Sequence, residues 1–246
     1  MPAITPRGVE INRDAARPID AIRVAGTLLR TSRVTTLATL DPGGYPYSTV
    51  TNLIVEPDGI PVVFMTGLAI HARNIETDPR VSMTVADTRT DVMTTPRLTL
   101  SGRAEQVPAN GVPALQARYM ERFPKSKLYL GLPDALFYRI RTEAVQLNGG
   151  PAQNANAVTP EDLLTDLNEA SALMAEAPTL TASLNERDLA ARLAALAGAA
   201  PGPWRVSAID PDGIDLSTSS DLARLWFAGP ATTREHFDAA LADLLG

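Results

Sequence analysis

The spacing of apolar and polar positions changes several times along the chain, and each change marks an element. Between Pro18 and Thr31, Ile19, Ile22, Ala25, Gly26 and Leu29 recur at roughly helical spacing while Asp20, Arg23 and Arg30 turn elsewhere, which predicts an amphipathic lead-in helix. Val34–Leu40, Tyr45–Val55 and Val62–Met65 are rich in β-branched and aromatic residues and are separated by DPGG and EPDG; they predict an antiparallel meander. Leu68–Glu76 returns to a helical pattern and is closed by TDPR, because proline disfavours helical geometry in the residue before it. Strands Val81–Ala86, Arg97–Val107 and Phe137–Leu147 follow, with a helix at Val112–Phe123 between the last two.

Six strands with short helices at the corners predict a mainly β fold with α, in which an antiparallel sheet curls and closes into a small barrel without exposed edges. Beyond Leu147 the segment NGGPAQNANAVTPEDL is poor in large apolar residues and rich in turn formers, as linkers are, which places a boundary near residue 156. Residues 1–156 then form the barrel domain and residues 157–246 a small C-terminal α+β domain. In the latter, an alanine- and leucine-rich helical stretch, Thr159–Ala200, precedes strands at Trp204–Asp210, Ile214–Leu216 and Leu222–Phe227 and a helix at Thr233–Leu245.

Composition narrows the partners. A net charge of -6 spreads no basic field over the surface, which argues against nucleic acid or an anionic membrane. The absence of cysteine removes disulfides, thiolate metal sites, Fe–S clusters and thiol nucleophiles together. The N-terminal stretch has arginines but no apolar core followed by a cleavage site, and no run of apolar residues is long enough to span a bilayer; a cytoplasmic location is the expectation.

Candidate chemistry is sparse. With two histidines and no G-x-S-x-G elbow, a Ser-His-Asp hydrolase would have to be built around His71 or His236. GGYPY and NGG lack the spacing that cradles phosphates, and neither paired histidines nor an Asp-rich calcium loop occurs. MTGLAIHARN remains. Here a strand ends at Met65–Thr66 and a helix begins, so backbone donors and the positive helix end face the barrel mouth, with His71 and Arg73 near the opening. These two either hold an anionic group or a metal carried in a ligand, or His71 is a structural side chain at a corner; spacing alone ranks the structural role first. His236 flanks the buried stripe Phe237, Leu241 and Leu244 as a solvated residue. Arg97 and Arg103 share one strand face, and Trp204 and Trp226 read as core.

LATLDPGGYPYSTV, GLAIHARNIETDPRVSM, PRLTLSGRAE and ARYMERFP, in that order, resemble the HugZ haem-utilisation family, within the pyridoxamine-phosphate-oxidase-like FMN-binding split-barrel superfamily. VSAIDPDGIDLS with LARLWF is similar to the accessory domain that follows the barrel there. The resemblance implies a six-stranded antiparallel split β-barrel, a homodimer, and sites that draw on both subunits. It also implies haem as ligand or substrate, opened oxidatively with an external electron donor, and His71, which matches a family histidine, as a haem-iron ligand. Arg73, Asn74, Thr66, Tyr47, Ser48 and Arg103 are the further cofactor-binding candidates. Flavin-binding relatives tend to show serine and arginine where this chain has Ala69 and Ile70, and histidines seen in haem-degrading relatives are replaced within GGPAQNANA and at Asn185–Asp188. An FMN-dependent oxidoreductase and a cofactor-free regulatory dimer are the alternatives. The resemblance moves His71 from the structural role to the functional one.

Overall fold

The chain divides into two units, Met1–Glu56 with Ile60–Leu163 and Pro57–Gly59 with Leu164–Gly246. The structure, a computed structural model, describes residues 17–18, 20–87, 91–150, 153–154 and 158–246. The boundary placed near 156 and the N-terminal stretch read for a leader both lie outside the described residues.

In the first unit, helix α1 (Ala21–Thr31) starts after Asp20, whose carboxylate accepts from the Arg23 backbone N–H at 3.1 Å and satisfies one of the free donors of the first turn. Its buried side is Ala21, Ala25, Gly26, Leu29 and Arg30. Ile22, which the sequence placed on that stripe, is exposed, and Arg30 is buried. Strands β1 (Val34–Leu40), β2 (Pro46–Val55), β3 (Pro61–Thr66), β4 (Arg80–Ala86), β5 (Arg97–Gln106) and β6 (Ala135–Asn148) close into an antiparallel barrel in the order β1-β2-β3-β6-β5-β4. Period-two alternation puts Leu37, Leu53, Val63, Met65, Met83 and Leu100 inside, where they form one apolar core. At a bulge between Ser101 and Gly102, β5 turns against β6; a Cβ on Gly102 would stand 1.9 Å from the Arg141 carbonyl oxygen, so only glycine fits.

Two connections are helical. Helix α2 (Ile70–Thr77) joins β3 to β4, while α3 (Val112–Arg122) and a four-residue helix α4 (Lys127–Leu130) join β5 to β6. Leu115 and Tyr119 of α3 cover the outward-facing Ile54, Val62 and Phe137. Arg122 donates to the carbonyls of Arg30, Ser32 and Leu53, tying the end of α3 to the α1–β1 junction.

The second unit packs α5 (Ser171–Glu186), α6 (Ala190–Leu196) and α7 (Arg234–Leu245) on the apolar face of a three-stranded antiparallel sheet, β7 (Arg205–Asp210), β8 (Gly213–Ser217) and β9 (Leu222–Trp226). Helix begins only at Ser171; residues 159–170 hold a single 3-10 turn at Glu161–Leu163. The Thr159 N–H and hydroxyl donating to the Asp162 carboxylate, and the Thr165 N–H donating to the Asp58 carbonyl, compete with a helical ladder there. The sheet's other face carries a buried guanidinium: Arg224 bonds Asp210 at 2.6 Å and Asp215 at 2.9 Å, and lies 4.5 Å from the centre of the Trp226 ring. Among the described residues no helix is long and apolar enough to cross a membrane.

Candidate functional site

The chain leaves β3 at Thr66 and turns into α2 within three residues. Asp134, just before β6, holds this corner: its carbonyl accepts from the Gly67 N–H at 2.9 Å and its carboxylate from the Leu68 N–H at 3.3 Å. The Thr66 carbonyl accepts from Ala69 N–H at 3.0 Å, and Ala69, at the cap position, makes no side-chain cap bond to the first turn. Ala72, Asn74 and Ile75 are the buried residues of α2, and Ala72 and Ile75 join the barrel core.

At about 100° per residue, His71 and Arg73 stand about 200° apart and so occupy opposite flanks of α2. Arg73 is exposed; His71 shares its flank with Asn74 and Ile75 and is half-buried. Desolvation pushes the imidazole's pKa below its ordinary value, so at neutral pH the ring is uncharged and keeps one nitrogen lone pair. Leu68 and Ile70, on either side of the corner, are 74% and 56% exposed.

The other sequence candidates scatter around this point. The Asn74 amide is turned into the barrel end, where it donates to the Thr39 hydroxyl at 2.9 Å; the two residues are 3% and 1% exposed. Tyr47 pairs with Thr39 in the β1–β2 ladder and shares its face, which brings it to the same end of the barrel. Thr66 lies at the corner, half-buried. Ser48 is exposed and points to the opposite face of β2. Arg103 is on the outer surface, bonded to Glu143 at 3.1 Å and paired in the ladder with Arg80. Since Arg80 grips Asp78, the C-terminal cap of α2, Arg103 sits at the far end of that helix, about 10 Å along the axis from His71. Asn74, Tyr47 and Thr66 thus lie at the end of the barrel where α2 carries His71, while Ser48 faces the other side of β2 and Arg103 is engaged on the outer surface. Sequence reasoning missed Thr39 and Asp134, which act through partners 35 and 66 positions away and leave no local pattern.

Among the described residues no three His, Cys, Asp or Glu side chains gather as a metal cluster. His71 could offer one nitrogen donor to an iron carried in a ligand of its own. The residues present fit such a group: an uncharged nitrogen donor at the start of a helix whose approach carries the exposed aliphatic side chains Leu68 and Ile70 suits a flat, mostly apolar ligand.

A closed six-stranded antiparallel barrel with a helix at the β3–β4 corner defines the split-barrel class. Residues 24–149 match the pyridoxamine 5'-phosphate oxidase family, and the chain belongs to it. The whole chain is similar to Atu2129 of Agrobacterium tumefaciens str. C58, a protein of unknown function, at 52% identity over 99% of each chain and a TM-score of 0.87. It is also similar to a heme binding protein from Mycobacterium smegmatis, at 26% identity over 92% of this chain and 96% of that one, with a TM-score of 0.55. A third relative is the non-canonical heme oxygenase HOZ of Arabidopsis thaliana chloroplasts, 28% identical over 137 residues; the match spans 55% of this chain and 41% of that protein.

Proposed function

We propose that this protein binds haem at the β3–α2 corner, with His71 as a nitrogen ligand to the iron and Arg73 available to a propionate. When bound, haem supplies the redox iron; the chain ligates it, orients the ring and shields one face with Leu68 and Ile70. Oxidative opening of the porphyrin by O₂, reduced with electrons from an external donor, in the cytoplasm, completes the reading. The observation that carries it is the half-buried, uncharged imidazole of His71 beside exposed aliphatic residues, and haem-binding relatives of this barrel support it. The reading includes a homodimer. The outer faces of β1, β2, β4 and β5 present Thr36, Ser48, Val50, Ser82 and Thr99, small uncharged residues among which Val50 is 69% exposed, and such a face suits an isologous contact.

A flavin is the second reading, favoured by the family itself and by the helix opening at the corner. Against it, a phosphate dianion needs charge-assisted donors, and Ala69 and Ile70 offer neither hydroxyl nor cation. Hemin and FMN titrations of untagged protein, with molar mass measured in solution, separate the readings. The expected result is a dimer with a hemin Soret shift at micromolar protein, and an affinity at least about tenfold weaker in His71→Ala. No Soret shift, or a shift that His71→Ala leaves unchanged, overturns the haem assignment.

A further inference from the structure

An axial donor is useful only if the helix that carries it is fixed, and α2 has little of its own to fix it. Eight residues fall short of the length at which a helix holds itself in water, and Ala69 contributes no cap bond. Packing through Ala72 and Ile75 is apolar and therefore undirected, so it leaves rotation about the helix axis weakly specified. Asp134 and Arg80 hold the residues that flank α2, and between those two points the directed side-chain tie from the helix to the barrel, among the described residues, is the hydrogen bond from Asn74 to Thr39. Asn74 lies one turn beyond His71 on the same flank, and Thr39 sits on a strand laddered to both Tyr47 and Val81, so the acceptor cannot drift. A buried amide is expensive unless bonded, and an aliphatic residue would fill this position without that cost.

We propose that Asn74 and Thr39 form a positioning pair which sets the rotation of α2 and thereby holds the His71 imidazole at the barrel mouth. Asn74 then acts through His71 and does not itself touch the ligand. The pair rests on the haem reading only for the identity of what His71 meets.

Three variants test it. Thr39→Val removes the acceptor at constant shape, Thr39→Ser keeps the hydroxyl, and Thr39→Val with Asn74→Leu replaces the bond by apolar packing. Each is read three ways: thermal midpoint, ring-proton NMR shifts of His71 in the hemin-free protein at fixed pH, and hemin affinity. With two histidines in the chain, His236→Gln assigns the signals. The expected result is that Thr39→Val moves the His71 ring shifts and weakens hemin about fivefold, while Thr39→Ser resembles the parent. The double variant should regain thermal midpoint but not the parent ring shifts. Unchanged ring shifts in folded Thr39→Val, or a double variant that restores shifts and midpoint together, overturns the proposal. Should Thr39→Val fail to fold, the double variant and Thr39→Ser decide between the same outcomes. Should the parent bind no hemin, the haem reading falls while the ring shifts still decide the positioning pair.

Discussion

Arg224→Met tests how the second unit is held together. The guanidinium is fully buried and shared by two carboxylates, themselves nearly inaccessible, so its removal strands two negative charges in the sheet without the cation that now offsets them. Breaking a buried charged network by deleting one partner costs about 3–5 kcal/mol. The unit comprises about 86 residues, for which about 0.05–0.15 kcal/mol per residue gives a total of about 4–13 kcal/mol. The loss is therefore about a quarter of the unit's stability at least, and at about 4 °C or more per kcal/mol the midpoint should fall by about 12 °C or more. Tryptophan fluorescence reads this unit selectively, because both tryptophans of the chain, Trp204 and Trp226, belong to it and Trp226 lies against Arg224. Asp210→Asn and Asp215→Asn added to Arg224→Met remove the stranded charges and should recover most of the loss. A single variant within about 1 kcal/mol of the parent, or a triple variant as unstable as the single one, refutes the reasoning.

Two further outcomes follow from local geometry. Gly102→Ala should cost at least about 3 kcal/mol in a urea melt of the first unit, since its Cβ would meet the Arg141 carbonyl oxygen at 1.9 Å and neither backbone can withdraw without breaking the β5–β6 ladder; a loss under about 1 kcal/mol would show that the bulge can rearrange. Asp78 is bonded through side chain and backbone to Arg80, which lowers its pKa from the model-compound 3.8 to about 2, so the carboxyl carbon should titrate near there by NMR and return toward the ordinary range in Arg80→Gln. The sign is that of a depressed acid: the interaction is present above the unfolded value and is lost as pH falls through about 2.

The barrel was legible because its strands announce themselves locally. The buried Thr35, Leu37 and Thr39 alternate with exposed or half-buried neighbours along β1, and DPGG and EPDG carry the turn chemistry that limits each hairpin. Helix boundaries were less legible where side chains compete with the backbone. Residues 159–170 carry Leu163, Leu164 and Leu167, which extend the apolar pattern of the helix that follows, yet Thr159 and Thr165 bond outside any helical ladder. The four-residue α4 offers too few positions for a period to show. At the site, the pattern singled out His71 but gave Asn74 and Arg103 the same standing as ligand candidates. What separates them is nonlocal: Asn74 is committed to a threonine 35 positions earlier, and Arg103 to a glutamate 40 positions later. Arg224 is the plainest case, since nothing around LARLWF distinguishes an exposed arginine from one buried against Asp210 and Asp215.

The electrostatics of His71 connect stability with function. A histidine whose pKa is lowered by burial binds fewer protons when folded than when unfolded, so stability falls as pH drops from the unfolded value near 6.5 through the folded one. A neutral residue of similar size would avoid that loss, and the position is not in the closed core, where packing alone would explain an imidazole. The same uncharged state discriminates between ligands. A phosphate dianion is held by cations, and a desolvated imidazole resists becoming one; a metal centre wants the free lone pair that this environment preserves. With Ala69 at the cap, the imidazole side of the corner carries a neutral donor, and the positive charge nearby is the helix end and, on the opposite flank of α2, Arg73. On charge alone, then, the imidazole side of the corner offers a neutral nitrogen donor in place of a further cation.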